Sequence, residues 1–593
     1  MNFLKTFVAS LFAFVAGGIL LFFLGLCIVA GIVAASMEGG AAVEKGSILK
    51  IDFSEEIVDA PSADPLAGFD PMTLQTTRRL SILQVVEALD AAQHDDRIAG
   101  IYLRMNGGGG IGGSALLEEM RDALAAFKQS GKFIVAYDEA YTQGGYYLAS
   151  VADGIYLQPE GGIDWSGLSM DVLFYKGLLD KLDVRAEVFR PTACPYKSAV
   201  EPYILTKMSD ANRLQMQTLV DSMWATIAGA VSEARGIDPA KLRSLTDRLA
   251  VSLPEEALEY GFVDDVIYED QMDDVFAGLG VETDDDGAYR YVSLGDYVAQ
   301  MRPDPKRLTA PQVAVVYASG QIVDGEGSGE EIYGNTLAQT LAEARLDDNI
   351  EAVVLRVDSP GGSALASDVI WREVELLKAE KPVIVSMGSY AASGGYYISC
   401  PADAIVADRL TLTGSIGVFG MYFDVVDALQ NKLGITVDGV RSNLSAGMGS
   451  LRPLTPLERA TIMRGVDKVY ATFTEHVSKG RNLPIDKVLN VAGGRVWTGA
   501  DALGIGLIDG YGGIATAIAL AADKAGLGDD FRVVEMIDEP TGFAAFIAAL
   551  NGGVRAAFGG AKAAPMMQEY KQIREALGQQ GILMYSPCKV ELR

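Results

Sequence analysis

The sequence predicts an α/β fold: two tandem βαβ domains, one a duplicate of the other, behind a single N-terminal membrane helix. Three observations carry that expectation. The stretch Asp95-Asp96-Arg97-Ile98-Ala99-Gly100-Ile101-Tyr102-Leu103-Arg104 returns 252 residues later as Asp347-Asp348-Asn349-Ile350-Glu351-Ala352-Val353-Val354-Leu355-Arg356. Tyr141-Thr142-Gln143-Gly144-Gly145-Tyr146-Tyr147 returns, at an offset of 250, as Ala391-Ala392-Ser393-Gly394-Gly395-Tyr396-Tyr397. Within each copy, short apolar runs alternate with longer helical patterns, the rhythm of a parallel sheet with right-handed helical crossovers.

Taken in order, the chain opens with six residues (1–6) and then an uncharged, apolar run over residues 7–35. Crossing a bilayer core takes ~20 residues, and a cleavable signal peptide has an apolar region of only ~7–15. The run is therefore expected to stay as a transmembrane anchor. Lys5 precedes it and Glu38 and Glu44 follow, which leaves residues 1–6 in the cytoplasm and carries the body across. In a bacterium with an outer membrane, that is an inner-membrane protein facing the periplasm.

The first repeat is expected over residues 46–300, opening on the strand pattern of residues 46–53. The second is expected over 310–526, opening on residues 311–317. Residues 350–357 form an almost unbroken apolar run, as a parallel strand buried on both faces should. Residues 368–380 carry helical periodicity, and residues 382–387 read as the next buried strand. The copies end alike, Ala257-Leu258-Glu259-Tyr260-Gly261-Phe262-Val263-Asp264 against Ala502-Leu503-Gly504-Ile505-Gly506-Leu507-Ile508-Asp509. Residues 301–306, with two prolines, read as a linker. Residues 527–593 form an extension to which the sequence gives no role.

A net charge of -29 excludes a nucleic-acid binder, since no basic field exists to displace phosphate counterions. Cys27, Cys194, Cys400 and Cys588 show no metal-ligand spacing, and His94 and His476 are the only histidines. No metal and no cofactor are expected. Cys194 and Cys400 are read as unpaired core thiols.

Each copy lacks what the other keeps. Ser393 in the second copy faces Gln143 in the first. Lys197, in Pro195-Tyr196-Lys197-Ser198-Ala199-Val200-Glu201-Pro202, faces Gly447-Met448-Gly449-Ser450. Asp358-Ser359-Pro360-Gly361-Gly362 follows a strand, where bare glycines let N–H groups turn toward an oxyanion. Small residues flank Ser393 at a strand-to-helix turn, and the N–H of Gly394 follows it. Thr411-Leu412-Thr413-Gly414-Ser415-Ile416-Gly417 adds hydroxyl donors. A serine nucleophile needs a base. His94 and His476 read as surface or helix residues, while Lys197 sits in an uncharged run and could serve if burial lowers its pKa. Singly, each motif also fits a tight turn or a loop lysine.

The Ser-Pro-Gly-Gly, Tyr-Ala-Ala-Ser-Gly-Gly-Tyr-Tyr and Leu-Thr-Gly-Ser-Ile-Gly segments, with Tyr-Lys-Ser-Ala-Val-Glu-Pro in the first copy, resemble the signal peptide peptidase A (protease IV) family in its long, membrane-anchored form. The resemblance covers the anchor, both repeats and their order. It implies a Clp-protease/crotonase-like fold and a Ser/Lys dyad peptidase, with Ser393 as nucleophile and Lys197 as general base. It further implies oxyanion donors at Gly361, Gly362 and Gly394, with Ser415 supporting the lysine. The substrates would be cleaved signal peptides and other short apolar peptides at the membrane lipid surface, and the assembly a homotetramer. Where the family pattern has Ser-Pro-Gly-Gly, the first copy has Asn106-Gly107-Gly108-Gly109-Gly110, which fits a half that no longer holds an oxyanion. Two other readings stay open at this point: a crotonase-type acyl-CoA enzyme and a non-catalytic membrane scaffold.

Overall fold

The computed structural model describes residues 17, 41–61, 69–70, 75–106, 111–301, 309–329, 331–449, 451–537 and 582–585. The expected anchor, residues 7–35, lies outside them except for Gly17. Among the described residues no helix is long and apolar enough to cross a membrane.

The first repeat runs β1 (Ser47–Ile51), α1 (Ile82–His94), β2 (Ile98–Leu103), α2 (Ser114–Lys128), β3 (Phe133–Tyr141), α3 (Gln143–Ala149) and β4 (Gly154–Ile163). It continues through β5 (Arg185–Phe189), the long α4 (Asp210–Arg235), β6 (Asp265–Val266) and β7 (Tyr291–Ser293). Six of these strands make an all-parallel sheet in the order β6-β4-β3-β2-β1-β7.

The second repeat opens with β8 (Gln312–Ser319), β9 (Gln321–Val323), β10 (Glu331–Tyr333) and α5 (Gly334–Leu346). Then come β11 (Ile350–Ser359), β12 (Gly361–Ser363), α6 (Ala364–Lys378), β13 (Val383–Ala392) and α7 (Gly394–Ser399). It closes with β14 (Ala404–Ala407), β15 (Leu412–Gly414), β16 (Phe419–Asp424), α8 (Pro456–Gly480), β17 (Val496–Thr498), β18 (Gly510–Tyr511) and α9 (Ile514–Lys524). Its main sheet has the order β17-β15-β13-β11-β8, so β8, β11 and β13 stand where β1, β2 and β3 stand in the first.

Among the described residues, two strands lie past residue 526, where the second repeat was expected to end. β19 (Arg532–Met536) pairs parallel with β8 and covers its outer edge. β20 (Ile582–Tyr585) enters a third sheet of order β10-β9-β12-β20-β16-β5. In that sheet β5, from the first repeat, pairs antiparallel with β16 from Arg185↔Asp424 to Phe189↔Gly420. The division between repeats near residue 300 is therefore not a division of the fold.

Packing ties the halves together further. Successive strand residues point to opposite faces of a sheet. Val313, Val315, Ala352, Val354 and Ile384 enter a core shared with β1, α1 and α2 of the first repeat, and α9 adds Ile514, Ala517 and Ala521. Their neighbours Ala314, Val316, Val353, Leu355, Val383 and Val385 enter a second core, which Phe189 and Cys194 of the first repeat also join. A buried Val or Leu contributes roughly 1.5–3 kcal/mol, so the shared core holds the two copies as one body.

A buried charge cluster pins the same seam. The Arg356 guanidinium on β11 is fully buried and donates to Asp59 Oδ1 (2.8 Å), Glu119 Oε1 (2.6 Å) and Ser386 Oγ (2.8 Å). Asp59 and Glu119 both belong to the first repeat. Beside them, burial and then the nearby Asp59 charge push the Asp358 carboxyl up to about 7. Cys194 and Cys400 are free and buried.

Candidate active site

Strand β13 delivers its last residues between β11 and β15, and the chain turns into α7 at Ser393. There the backbone takes φ 57 and ψ -111, and the side chain caps no helical N–H. A left-handed conformation on a residue with a Cβ costs of order 1–3 kcal/mol and persists only where the surroundings impose it. The Ser393 N–H donates to Gly414 O (2.8 Å), and its carbonyl accepts from Tyr397 N (2.9 Å). The backbone is thus fixed on both sides while the hydroxyl is turned away from the helix.

The glycines around it are required by space. A Cβ on Gly394 would lie 2.8 Å from Ser367 Oγ and 3.1 Å from both Gly361 Cα and Gly362 N. One on Gly395 would lie 2.6 Å from Ser359 O. The Gly361-Gly362 strand and the start of α7 therefore touch backbone to backbone. Gly361 sits at φ 98, and its N–H donates to Ser359 Oγ (3.1 Å). Of the three glycines expected to supply oxyanion donors, Gly361 thus has its donor directed at a neighbouring hydroxyl.

Lys197 arrives from the other repeat. It follows β5 on a loop that ends in a short helical turn, Ser198–Val200. Arg190 Nη1 donates to Lys197 O (2.9 Å), and Tyr196 N donates to Gly493 O across the seam (3.0 Å). Buried Glu201 anchors the downstream side by accepting from Ser209 N, Ser209 Oγ and Asn212 Nδ2. Gln215 bridges the halves: its amide donates to Ser198 Oγ (3.4 Å) and accepts from Val496 N (2.8 Å). Gly494, at φ 80, lies flat against the Lys197 backbone, where a side chain would lie 2.6 Å from Lys197 Cβ.

These supports place Lys197 Nζ 2.7 Å from Ser393 Oγ, 2.9 Å from Ser415 Oγ and 3.0 Å from Ser415 O. Ser393, Lys197 and Ser415 are all essentially inaccessible. Ser415 has its own left-handed backbone (φ 49), fixed by its N–H donating to Arg495 O (2.7 Å). Nζ donates to both serine hydroxyls and to the Ser415 carbonyl. An amine held at this distance and oriented by a second serine can, once neutral, move a proton on and off Oγ.

The histidines stand elsewhere. His94 ends α1 at the surface with Nδ1 at 3.0 Å from Asp90 O, and His476 stacks on Trp371 at 3.6 Å. Among the described residues no cluster of His, Cys, Asp and Glu could hold a metal ion. Glu201, Gln215, Gly493 and Gly494 were not singled out in the sequence. Glu201 lay within the quoted lysine motif, but Gly493-Gly494 is one glycine pair among many.

The family model for peptidase family S49 matches this chain twice, over residues 126–279 and 375–528. Protease 4 of Haemophilus influenzae is 38% identical over 450 residues, covering 74% of this chain and 72% of that protein. Protease 4 of Salmonella typhi is 36% identical over 552 residues, covering 90% and 88%. The chloroplastic serine protease SPPA of Arabidopsis thaliana is 33% identical over 500 residues, covering 82% and 70%. Two family domains in tandem, with relatives aligned along most of the length, place this chain in peptidase family S49 as a serine peptidase.

Proposed function

We propose that this peptidase works through a dyad shared between its repeats, with Ser393 as nucleophile and Lys197 as general base and acid. The observation that carries the reading is the 2.7 Å approach of Lys197 Nζ to Ser393 Oγ inside a sealed site. Neutral Lys197 takes the Ser393 proton as Oγ adds to the scissile carbonyl. The oxyanion forms against the N–H groups of Gly394, Gly362 and Gly361, the last leaving Ser359 Oγ to reach it. Lys197 then protonates the departing amine, and water repeats the sequence on the acyl-enzyme. Ser415 holds Nζ in line through its Oγ and carbonyl. Family membership sets aside the acyl-CoA and scaffold readings.

Its substrates, on this reading, are cleaved signal peptides and other short apolar peptides. The uncharged run of residues 7–35 supports a single-pass anchor in a bacterial inner membrane, with the body in the periplasm. A homotetramer rests on the family resemblance alone. Hydrolysis of a fluorogenic apolar peptide tests the chemistry: Ser393→Ala and Lys197→Ala should each be inactive while folded, and full activity in either refutes the dyad. Membrane fractions washed at alkaline pH test the anchor, which fails if the full-length chain is released.

A further inference from the structure

Three consecutive residues of the second repeat touch both Lys197 and the serine that orients it. Gly493 O accepts from Tyr196 N (3.0 Å), and Gly494 lies against the Lys197 backbone. Gly494 N donates to Ile416 O (2.8 Å), and Arg495 O accepts from Ser415 N (2.7 Å). Residues 493–495 thus meet the Lys197 loop on one side and the Ser415 turn on the other. A lysine side chain is a flexible four-carbon stem, so the place of Nζ depends on how firmly that loop is held. The loop comes from the first repeat and crosses the seam to reach Ser393.

The Arg495 side chain reaches back across the same seam. Its guanidinium carbon lies 4.0 Å from the ring centre of Trp497 and 5.4 Å from that of Tyr196. Trp497 is a fixed platform. It stands on β17 opposite Thr413 of β15, and its indole N–H donates to Val491 O (3.0 Å). Tyr196 directly precedes Lys197 in the first repeat. Aromatic faces attract a cation within about 6 Å of the ring centre. A planar guanidinium can stack on such faces where a compact ammonium cannot. Arg495 therefore ties the loop that carries Lys197 to the sheet that leads into Ser393 and Ser415.

We propose that Arg495 is a positioning residue for this peptidase. Its guanidinium, laid over Trp497 and Tyr196, keeps the Lys197 loop where Nζ reaches both Ser393 and Ser415. The proposal rests on the Ser393–Lys197 reading above. Arg495 acts through Tyr196 and takes no part in the proton transfers. The contact uses the ring of Tyr196 and not its hydroxyl.

Steady-state hydrolysis of a fluorogenic apolar peptide by the full-length chain tests this, with chemical denaturation of each variant as a check on folding. Arg495→Ala should lower kcat by about tenfold and leave KM within about twofold, since a displaced catalytic group slows the chemistry and spares binding. Arg495→Lys should recover only part of that loss. Tyr196→Leu should match Arg495→Ala, while Tyr196→Phe, which keeps the ring, should stay near wild type. Combining Arg495→Ala with Tyr196→Leu should cost little more than either alone, because both remove one contact. Wild-type kcat in Arg495→Ala, or a raised KM at unchanged kcat, overturns the proposal. Additive losses in the double variant overturn it too. Should Arg495→Ala fail to fold, equal kcat in Tyr196→Leu and Tyr196→Phe does so in its place. An active Lys197→Ala sinks the dyad and this proposal together. An inactive Lys197→Ala beside a fully active Arg495→Ala overturns the positioning role alone.

Discussion

The turn from β3 into α3 and the turn from β13 into α7 occupy matching places in the two repeats. In the first, Thr142 has relaxed extended angles (φ -70, ψ 162), and its side chain accepts from Gly145 N as an ordinary helix cap. In the second, Ser393 is forced to φ 57 and caps nothing. Gln143, which stands in the serine's place, spends its amide on Gly167, accepting from N (2.9 Å) and donating to O (3.3 Å). In the first turn the polar group is structural, bonded to the Gly167 backbone. The other is held at its positive φ where Lys197, Ser415 and the Gly361-Gly362 strand enclose it.

A second contrast concerns the matching arginines. Arg104 on the first sheet pairs with Glu269, which is half exposed. Arg356 is wholly buried and grips Asp59 and Glu119 of the other repeat. One copy uses its arginine within itself, and the other uses it to hold the halves in the register that the proposed dyad needs.

The largest effect that could break the comparison lies at the dyad. Ser393→Ala or Lys197→Ala should lower kcat/KM by at least about a thousandfold, and the double variant should lose little more, because the pair acts as a unit. Additive losses would show that the repeats contribute separately. Next comes the seam: Glu119→Gln or Arg356→Met should destabilise the fold by about 3–5 kcal/mol in chemical denaturation, since each strands a buried charge. An effect below about 1 kcal/mol would mean the seam rests on the apolar core alone.

The raised Asp358 carboxyl adds a pH signature at the seam. The folded state binds this proton more tightly than the unfolded state, so the stability it gives is complete below pH 3.8 and is lost as pH rises to about 7. Asp358→Asn should flatten that part of the stability profile, and an unchanged slope would assign it to other groups. Ser415→Ala, which only orients Lys197, should cost about tenfold in kcat with little change in KM; a loss as large as that of Lys197→Ala would give Ser415 a greater share. Smallest of all, Gln143→Ala should cost about 1 kcal/mol of stability and no activity.

Much of this was legible in the sequence because duplication wrote it twice. The repeated strand and turn motifs aligned β2 with β11 and β3 with β13, and the differences at Ser393 and around Lys197 marked chemistry that each copy holds alone. What stayed hidden depends on contacts between distant segments. β5 belongs by sequence to the first repeat but pairs with β16, and no local pattern in Arg185–Phe189 names that partner. Gly493-Gly494 is needed only because Lys197 lies against it. β20 is four residues whose strand character comes from the slot that receives it. Arg356 was visible as the match of Arg104, but its partners Asp59 and Glu119 are set by how the two sheets meet.

The central claim, a working site assembled from one residue of each repeat, is tested most directly by the pH-rate profile of apolar-peptide hydrolysis in wild type, Ser393→Ala and Lys197→Ala. From about pH 6 to about pH 10, wild-type activity should climb as the Lys197 ammonium is lost. Both variants should stay flat at background while remaining folded. A Lys197→Ala enzyme that keeps the wild-type rise would place the base elsewhere and contradict a dyad shared between the repeats.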